Sequence, residues 1–154
     1  MIIMTLAKIV YASMTGNTEG ISEIIEDAFK DQGVDVEREM SDDVDPDFFE
    51  DADICVIATY TYNDGELPGE FEDFYDDLAD EDLSGKIYGV VGSGDSELYP
   101  DFFCHAADSF MEDFEKTGAK KGADVLKIEN DADDEDTENI KKLVSDLVKA
   151  QSEL

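Results

Sequence analysis

Residues 12–20 read ASMTGNTEG, a stretch with three hydroxyl side chains, an asparagine and two glycines but no lysine or arginine. Ser13, Thr15 and Thr18 offer hydroxyl donors, and Gly16 allows close backbone approach. A helix beginning near Asn17 would turn its free N–H groups and the positive end of its dipole onto the loop. Together these parts can cradle a phosphate without a charged side chain. The nearest cation in sequence, Lys8, lies toward the other end of the preceding strand, roughly 16 Å away at about 3.3 Å per residue. Taken alone, T-G-N-T-E also reads as ordinary helix-capping chemistry. A P-loop is excluded because no Gly-Lys-Ser/Thr is present, and GSGDSE does not complete a GxGxxG pattern.

Two further stretches carry comparable residues: TYTYNDGELPG at 59–69 and GSGDSELYPDFFC at 92–104. Tyr60, Tyr62 and Tyr99 bring rings that could stack on a ligand or pack as plain aromatics. Asp95 and the backbone of GSGD supply hydrogen-bonding groups for a polar ring edge. A phosphate cradle with two facing aromatics suits a flat, phosphorylated heterocycle. With no place for a second phosphate, a mononucleotide is favoured over a dinucleotide.

The elements that must position these loops are legible in the hydrophobic pattern. AKIVYAS, VDVERE, DICVIAT, KIYGVVG and ADVLKIE are short, rich in β-branched residues and end at turn residues. Three of them are nearly continuous apolar runs, as expected of parallel strands covered on both faces. Helical stretches alternate with them. Ile21, Ile24, Ile25, Ala28 and Phe29 recur at helical spacing, as do Ile140, Leu143, Val144, Leu147 and Val148. Met111 and Phe114 are core candidates on a further helix, and Gly33 and Gly118 stand where helix C-caps belong. Strict alternation of five strands and about five helices predicts an α/β fold, a doubly wound five-stranded parallel sheet of order 2-1-3-4-5 in a single domain over 1–154. In that order strands 1, 3 and 4 are neighbours, so the three unusual loops converge at the topological switch point. Strands 2 and 5 run into plain acidic loops.

Composition narrows the function. The 154 residues suffice for one domain with a real core. A formal net charge of −31, from 42 acidic and 11 basic residues, argues against nucleic acid and anionic membrane surfaces. It favours a partner with a basic docking face, although solvated surface or adaptation to high salt would read the same. No stretch is long enough to span a bilayer. The opening MIIMTLAKIVYASM lacks a basic n-region and is interrupted by Lys8, so it reads as a buried strand, not a secretory leader. Cys55 and Cys104 fit no metal or CxxC spacing, which predicts a reduced, cytoplasmic protein with no metal site.

On these three loops the chain resembles the short-chain flavodoxins, and the similarity covers essentially its whole length. The family's phosphate loop, a hydroxyl residue, any residue and then T-G-x-T, matches Ser13 to Thr18. Its flavin loop, commonly T-Y-T-W-G-D-G-E-L-P, matches Thr59 to Pro68, with Tyr62 at the usual tryptophan and Asn63 at the usual glycine. Its third loop, G-x-G/C-D-S followed by a tyrosine and then F-C, matches Gly92 to Cys104, in a segment one residue longer than common versions. The resemblance implies bound FMN and assigns its phosphate to Ser13, Met14, Thr15, Gly16, Asn17 and Thr18, with Thr59 and Thr61 near the phosphate and ribityl chain. Tyr62 and Tyr99 would sandwich the isoalloxazine. Asn63 and Asp64 would form the turn facing flavin N5, within the motif that also holds Tyr60 and Gly65. Ser93, Gly94, Asp95 and Cys104 would bind the pyrimidine edge, largely through backbone groups. Cys104 then lends its backbone N–H in preference to acting as a redox thiol. His105, the only histidine, reads as a helix-surface or partly buried residue.

The implied function is a low-potential electron carrier, a monomer that shuttles single electrons between redox enzymes and has no catalytic residues of its own. An FMN quinone reductase is the alternative from another class, and it would need room beside the flavin for a second substrate. An activator that reduces one dedicated enzyme is a third reading. A receiver domain shares the strand order but needs acidic residues where Ser13 and Thr59 stand, and is rejected.

Overall fold

An unbroken run such as ICVIATY has no polar face to offer water, so its strand needs cover on both sides. The computed structural model describes residues 5–12, 17–60, 72–94, 105–129 and 133–153. Strands β1 (Leu6–Tyr11), β2 (Asp35–Met40), β3 (Ile54–Tyr60) and β4 (Ile87–Gly94) form a parallel sheet in the order β2-β1-β3-β4. Two short segments, β5 (Lys120–Lys121) and β6 (Leu126–Glu129), both pair with β4 and complete the predicted 2-1-3-4-5 order. The described residues form four α-helices, three between strands and one after the last: α1 (Asn17–Asp31), α2 (Glu72–Leu78), α3 (His105–Lys116) and α4 (Asp134–Ser152). The weak turn expected around DPDFFEDA is a 3-10 turn at Pro46–Phe49.

Alternate residues of each central strand feed two cores. Ala7, Ile9, Ile54, Val56, Ile87 and Val91 meet Ile21, Ile25 and Phe29 of α1 and Ile140, Val144 and Leu147 of α4. Val10, Cys55, Ile57, Tyr88 and Val90 meet Phe49, Phe74 of α2, and Phe110 and Phe114 of α3. The periodic residues of α1, α3 and α4 thus lie where their spacing put them. Gly33 and Gly118 close α1 and α3 at φ 75° and 85°, a region that glycine enters without a Cβ clash.

Lys8, which interrupts the first apolar run, is buried on the α2/α3 side. Its ammonium pairs with Asp51 at 2.6 Å and Glu37 at 3.2 Å and stands 4.5 Å from the centre of the Phe48 ring. Burial pulls its pKa down, but the hydrogen bonds and charges of Asp51 and Glu37 outweigh burial and hold it above the ordinary lysine range. An inward charge on β1 is therefore accommodated by partners from the adjacent strand β2 and the Pro46–Phe49 region.

The fifth strand departs from the single run ADVLKIE. Between Tyr88 and Val91 of β4 the edge chain passes from Lys121 to Leu126, so two extra residues bulge out. Leu147 of α4 lies against this edge. A Cβ at Gly89 would lie 2.9 Å from a Leu147 methyl, and one at Gly122 would lie 2.7 Å from it and overlap Ile87 Cγ2. The helix packs directly on bare backbone there, and a Lys121–Asp124 ion pair of 2.9 Å spans the bulge.

The start of α4 also departs from the expected acidic loop. Asp133 accepts from the Asp136 N–H at 2.8 Å, and Asp136 accepts from the Asp133 N–H at 3.2 Å, a reciprocal capping box. Asp134, Glu135 and Asp136 form the first turn, where negative charge complements the helix dipole. Part of what reads as a plain acidic loop is helix.

Candidate functional site

Sheet register brings the ends of β1, β3 and β4 to one level. Tyr11 pairs with Ala58, Ala58 with Val91, and Tyr60 with Ser93. The Ala12 N–H donates to Ala58 O at 3.2 Å, extending the pairing to the last described residue of the β1 segment. The three loops singled out from sequence therefore leave side by side, in the crevice position expected of a doubly wound sheet. Strand β2 ends beside them in a 3-10 turn, Ser41–Asp43.

Of the expected site residues, Ser13, Met14, Thr15, Gly16, Thr61, Tyr62, Asn63, Asp64, Gly65, Asp95, Tyr99 and Cys104 lie outside the described residues. Those that are described sit at the roots of the loops. Asn17 opens α1, and Thr18 follows at 2 % exposure. Ser93, at 3 % exposure, ends β4 beside Gly94. The Thr18 and Ser93 hydroxyl oxygens are 3.0 Å apart, which joins the base of the first loop to the base of the third. Thr59 is fully buried, and its hydroxyl donates to Tyr60 O at 3.0 Å. Its proton is used within its own strand end, while its oxygen can still accept. Tyr60 packs against the α2/α3-side core.

The donor set fits an anion. Two buried hydroxyls stand at the N-terminal end of a fifteen-residue helix, at the mouth of the crevice. Sequence reading missed one neighbouring cation. Arg38 of β2 lies over the Tyr11 ring at 5.1 Å, donates to Ser22 Oγ at 3.2 Å, and faces Glu23 at 3.8 Å and Glu26 at 3.6 Å. The contact with Glu26 is electrostatic, since Arg38 Nε makes no hydrogen bond among the described residues. Two carboxylates thus offset the guanidinium, and its bonds are spent on holding β2 to α1 beneath the first loop. The signal that could have found it is β-strand alternation, which puts Arg38 on the α1 side of the sheet with Val36 and Met40.

Cys55, the second residue of β3, has its thiol pushed up to about 12 by burial. It is a core residue, not a nucleophile. Among the described residues no group of His, Cys, Asp and Glu is arranged to hold a metal ion, and no helix is long and apolar enough to cross a membrane.

Comparison with known proteins agrees with this geometry. The family model described as Flavodoxin matches residues 9–142. The chain is 38 % identical over 138 residues to probable flavodoxin 2 of Bacillus subtilis, covering 88 % of this chain and 90 % of that protein. It is 39 % identical over 131 residues to the flavodoxin of Maridesulfovibrio salexigens, covering 83 % and 88 %. Among solved structures, the flavodoxin of Streptococcus pneumonia TIGR4 superposes with a TM-score of 0.91 at 51 % identity, covering 95 % of this chain and 99 % of that one.

Proposed function

The chain belongs to the flavodoxin family and is an FMN-binding electron carrier, and on that premise we propose which of its residues hold the cofactor and how. The phosphate is bound by the loop from Ser13 to Thr18 and the N-terminus of α1, with Thr59 and Thr61 beside it. Tyr62 and Tyr99 cover the two faces of the ring. The turn of Asn63, Asp64 and Gly65 faces N5, and the backbone of Ser93, Gly94, Asp95 and Cys104 meets the pyrimidine edge. The observation that carries this reading is the buried Thr18–Ser93 hydroxyl pair, at the foot of two of the three converging loops.

Bound FMN supplies the one-electron chemistry, and the protein supplies binding, orientation and electrostatics. Hydroxyl and backbone donors hold the phosphate dianion at the helix N-terminus without a salt bridge, so the site adds little positive charge to a chain of net −31. That negative surface disfavours added electrons on the ring and makes the carrier a low-potential one. The same charge guides the protein to basic docking faces on reductases and oxidoreductases. We further propose that it acts as a cytoplasmic monomer with no substrate of its own. Substantial NAD(P)H-dependent quinone reduction by the purified protein alone would refute that last point.

The phosphate assignment is tested by Thr15→Ala. It removes one donor to a charged acceptor, worth roughly 1.5–3 kcal/mol. FMN should bind about one to two orders of magnitude more weakly, while riboflavin, which has no phosphate, should be nearly indifferent. Equal losses for both ligands in a fluorescence titration would defeat the assignment.

A further inference from the structure

Thr18 and Ser93 are separated by 75 positions in sequence, yet they share a 3.0 Å hydroxyl contact at 2 % and 3 % exposure. Two hydroxyl groups carry two protons, and one contact uses only one of them. The second proton needs another acceptor, and neither side chain has one among the described residues. A buried, unused hydroxyl proton costs free energy unless something accepts it. The pair lies at the N-terminus of α1, where the acceptor proposed above is the cofactor phosphate.

Which hydroxyl donates within the pair then matters. If Thr18 donated to Ser93, Thr18 would turn lone pairs toward an anion, and the spare proton would sit on the strand β4 side. If Ser93 donates to Thr18 Oγ1, the Thr18 proton is released toward the first loop. A hydroxyl that accepts one hydrogen bond is also polarised to donate a stronger one.

We propose that Ser93 is a positioning residue for the cofactor phosphate, donating to Thr18 Oγ1 so that the Thr18 hydroxyl donates to the phosphate. This rests on the phosphate assignment above. It gives the third loop's root a role in anion capture through its side chain, beyond any contact that its backbone makes with the ring. The Ser93 hydroxyl acts on the phosphate only through Thr18.

Four apoproteins decide the matter: wild type, Ser93→Ala, Thr18→Ala and the double variant, each titrated with FMN and with riboflavin. Ser93→Ala should weaken FMN about three- to tenfold, the scale of one hydrogen bond to a polar partner, and leave riboflavin within twofold. In the Thr18→Ala background the same substitution should cost FMN nothing further, because the relay is already broken. Inorganic phosphate offers a readout without flavin: it should raise the melting temperature of the wild-type apoprotein more than that of Ser93→Ala. Ser93→Cys, which keeps the shape with a weaker donor, should fall between serine and alanine, and it replaces alanine if the latter does not fold. Equal weakening of FMN and riboflavin by Ser93→Ala, or additive losses in the double variant, would overturn the relay. If Thr18→Ala alone lowers FMN binding selectively and Ser93→Ala does not, the phosphate assignment stands and the relay falls. If Thr18→Ala and Thr15→Ala both leave the preference for FMN over riboflavin unchanged, the assignment itself fails, and the relay with it.

Discussion

Replacing Asp113 by asparagine should stabilise the protein at pH 8 and do nothing at pH 4. Asp113 lies on α3 with 1 % of its surface exposed, and its Oδ2 has no hydrogen-bond partner among the described residues. Burial pushes its carboxyl up to about 7, opposed by Lys116 on its own helix and assisted by Asp76 of α2 and by Asp80 in the turn after it. Burial first, and then Asp113, Glu112 and Asp76, raise the Tyr75 hydroxyl across the contact, where the Tyr75 ring meets Phe110 edge-on at 5.3 Å. An unfolded aspartate titrates near 3.8. Between pH 4 and 7 the folded chain therefore holds a proton here that the unfolded chain has released. Stability from this group must fall as pH rises through that window, and its cost is complete above pH 7. The gap between the two values sets a ceiling of about 4 kcal/mol at 1.36 kcal/mol per decade. Mutational costs of an unpartnered buried polar group run at about 1–3 kcal/mol. The expected gain for Asp113→Asn is accordingly about 2 kcal/mol at pH 8, shrinking to nothing at pH 4. Urea unfolding of both proteins at fixed ionic strength and saturating FMN, at pH steps from 4 to 8, reads it directly. Taking the difference between the proteins cancels most of the shared repulsion of a chain of net −31. A difference that is flat with pH, or a variant less stable than wild type at pH 8, would refute the argument.

Gly122→Ala should cost about 1–3 kcal/mol in denaturant unfolding, because its Cβ would strike Ile87 and Leu147. Gly20→Ala, where nothing lies within 4 Å of the new Cβ inside α1, should instead gain about 0.5 kcal/mol, and the opposite ranking would contradict the packing described. Asn63→Gly should raise the first one-electron potential by tens of millivolts. On the proposed placement of Asn63 in the turn facing N5, a glycine there would be favoured by about 1 kcal/mol, or roughly 40 mV on a scale of 59 mV per tenfold, and an unchanged or lowered potential in redox titration would sink the turn-strain argument. Added salt should raise the second one-electron potential and slow electron transfer to a basic partner, since both depend on screened carboxylates. No response of either would mean that the acidity serves solubility or salt adaptation.

Much of this molecule is legible in its sequence because burial on both faces writes itself as apolar runs. ICVIATY and KIYGVVG announce central strands, and the helical spacing of Ile21, Ile25 and Phe29 announces which face of α1 meets them. The loops at the ends of β1, β3 and β4 stand out because they combine glycine and hydroxyls, those after β3 and β4 with tyrosine as well, where strands 2 and 5 run into mainly acidic segments. What escapes such reading is set by tertiary contact. The bulge between β5 and β6 stands where Leu147, far along the chain, lies on Gly89 and Gly122, a contact no local pattern announces. The first turn of α4 hides in NDADDEDT because a capping box of two aspartates looks like any acidic loop. The Thr18–Ser93 pair joins two motifs, each complete in itself, whose side-chain contact no spacing rule reveals.

The most direct test of the central claim is a stepwise reduction of the purified, FMN-loaded protein followed by visible absorbance. A carrier that handles electrons singly should show two separated steps, with a long-wavelength band that grows to half reduction and then falls away. One two-electron step, bleaching the oxidised spectrum with no such band, would contradict the account.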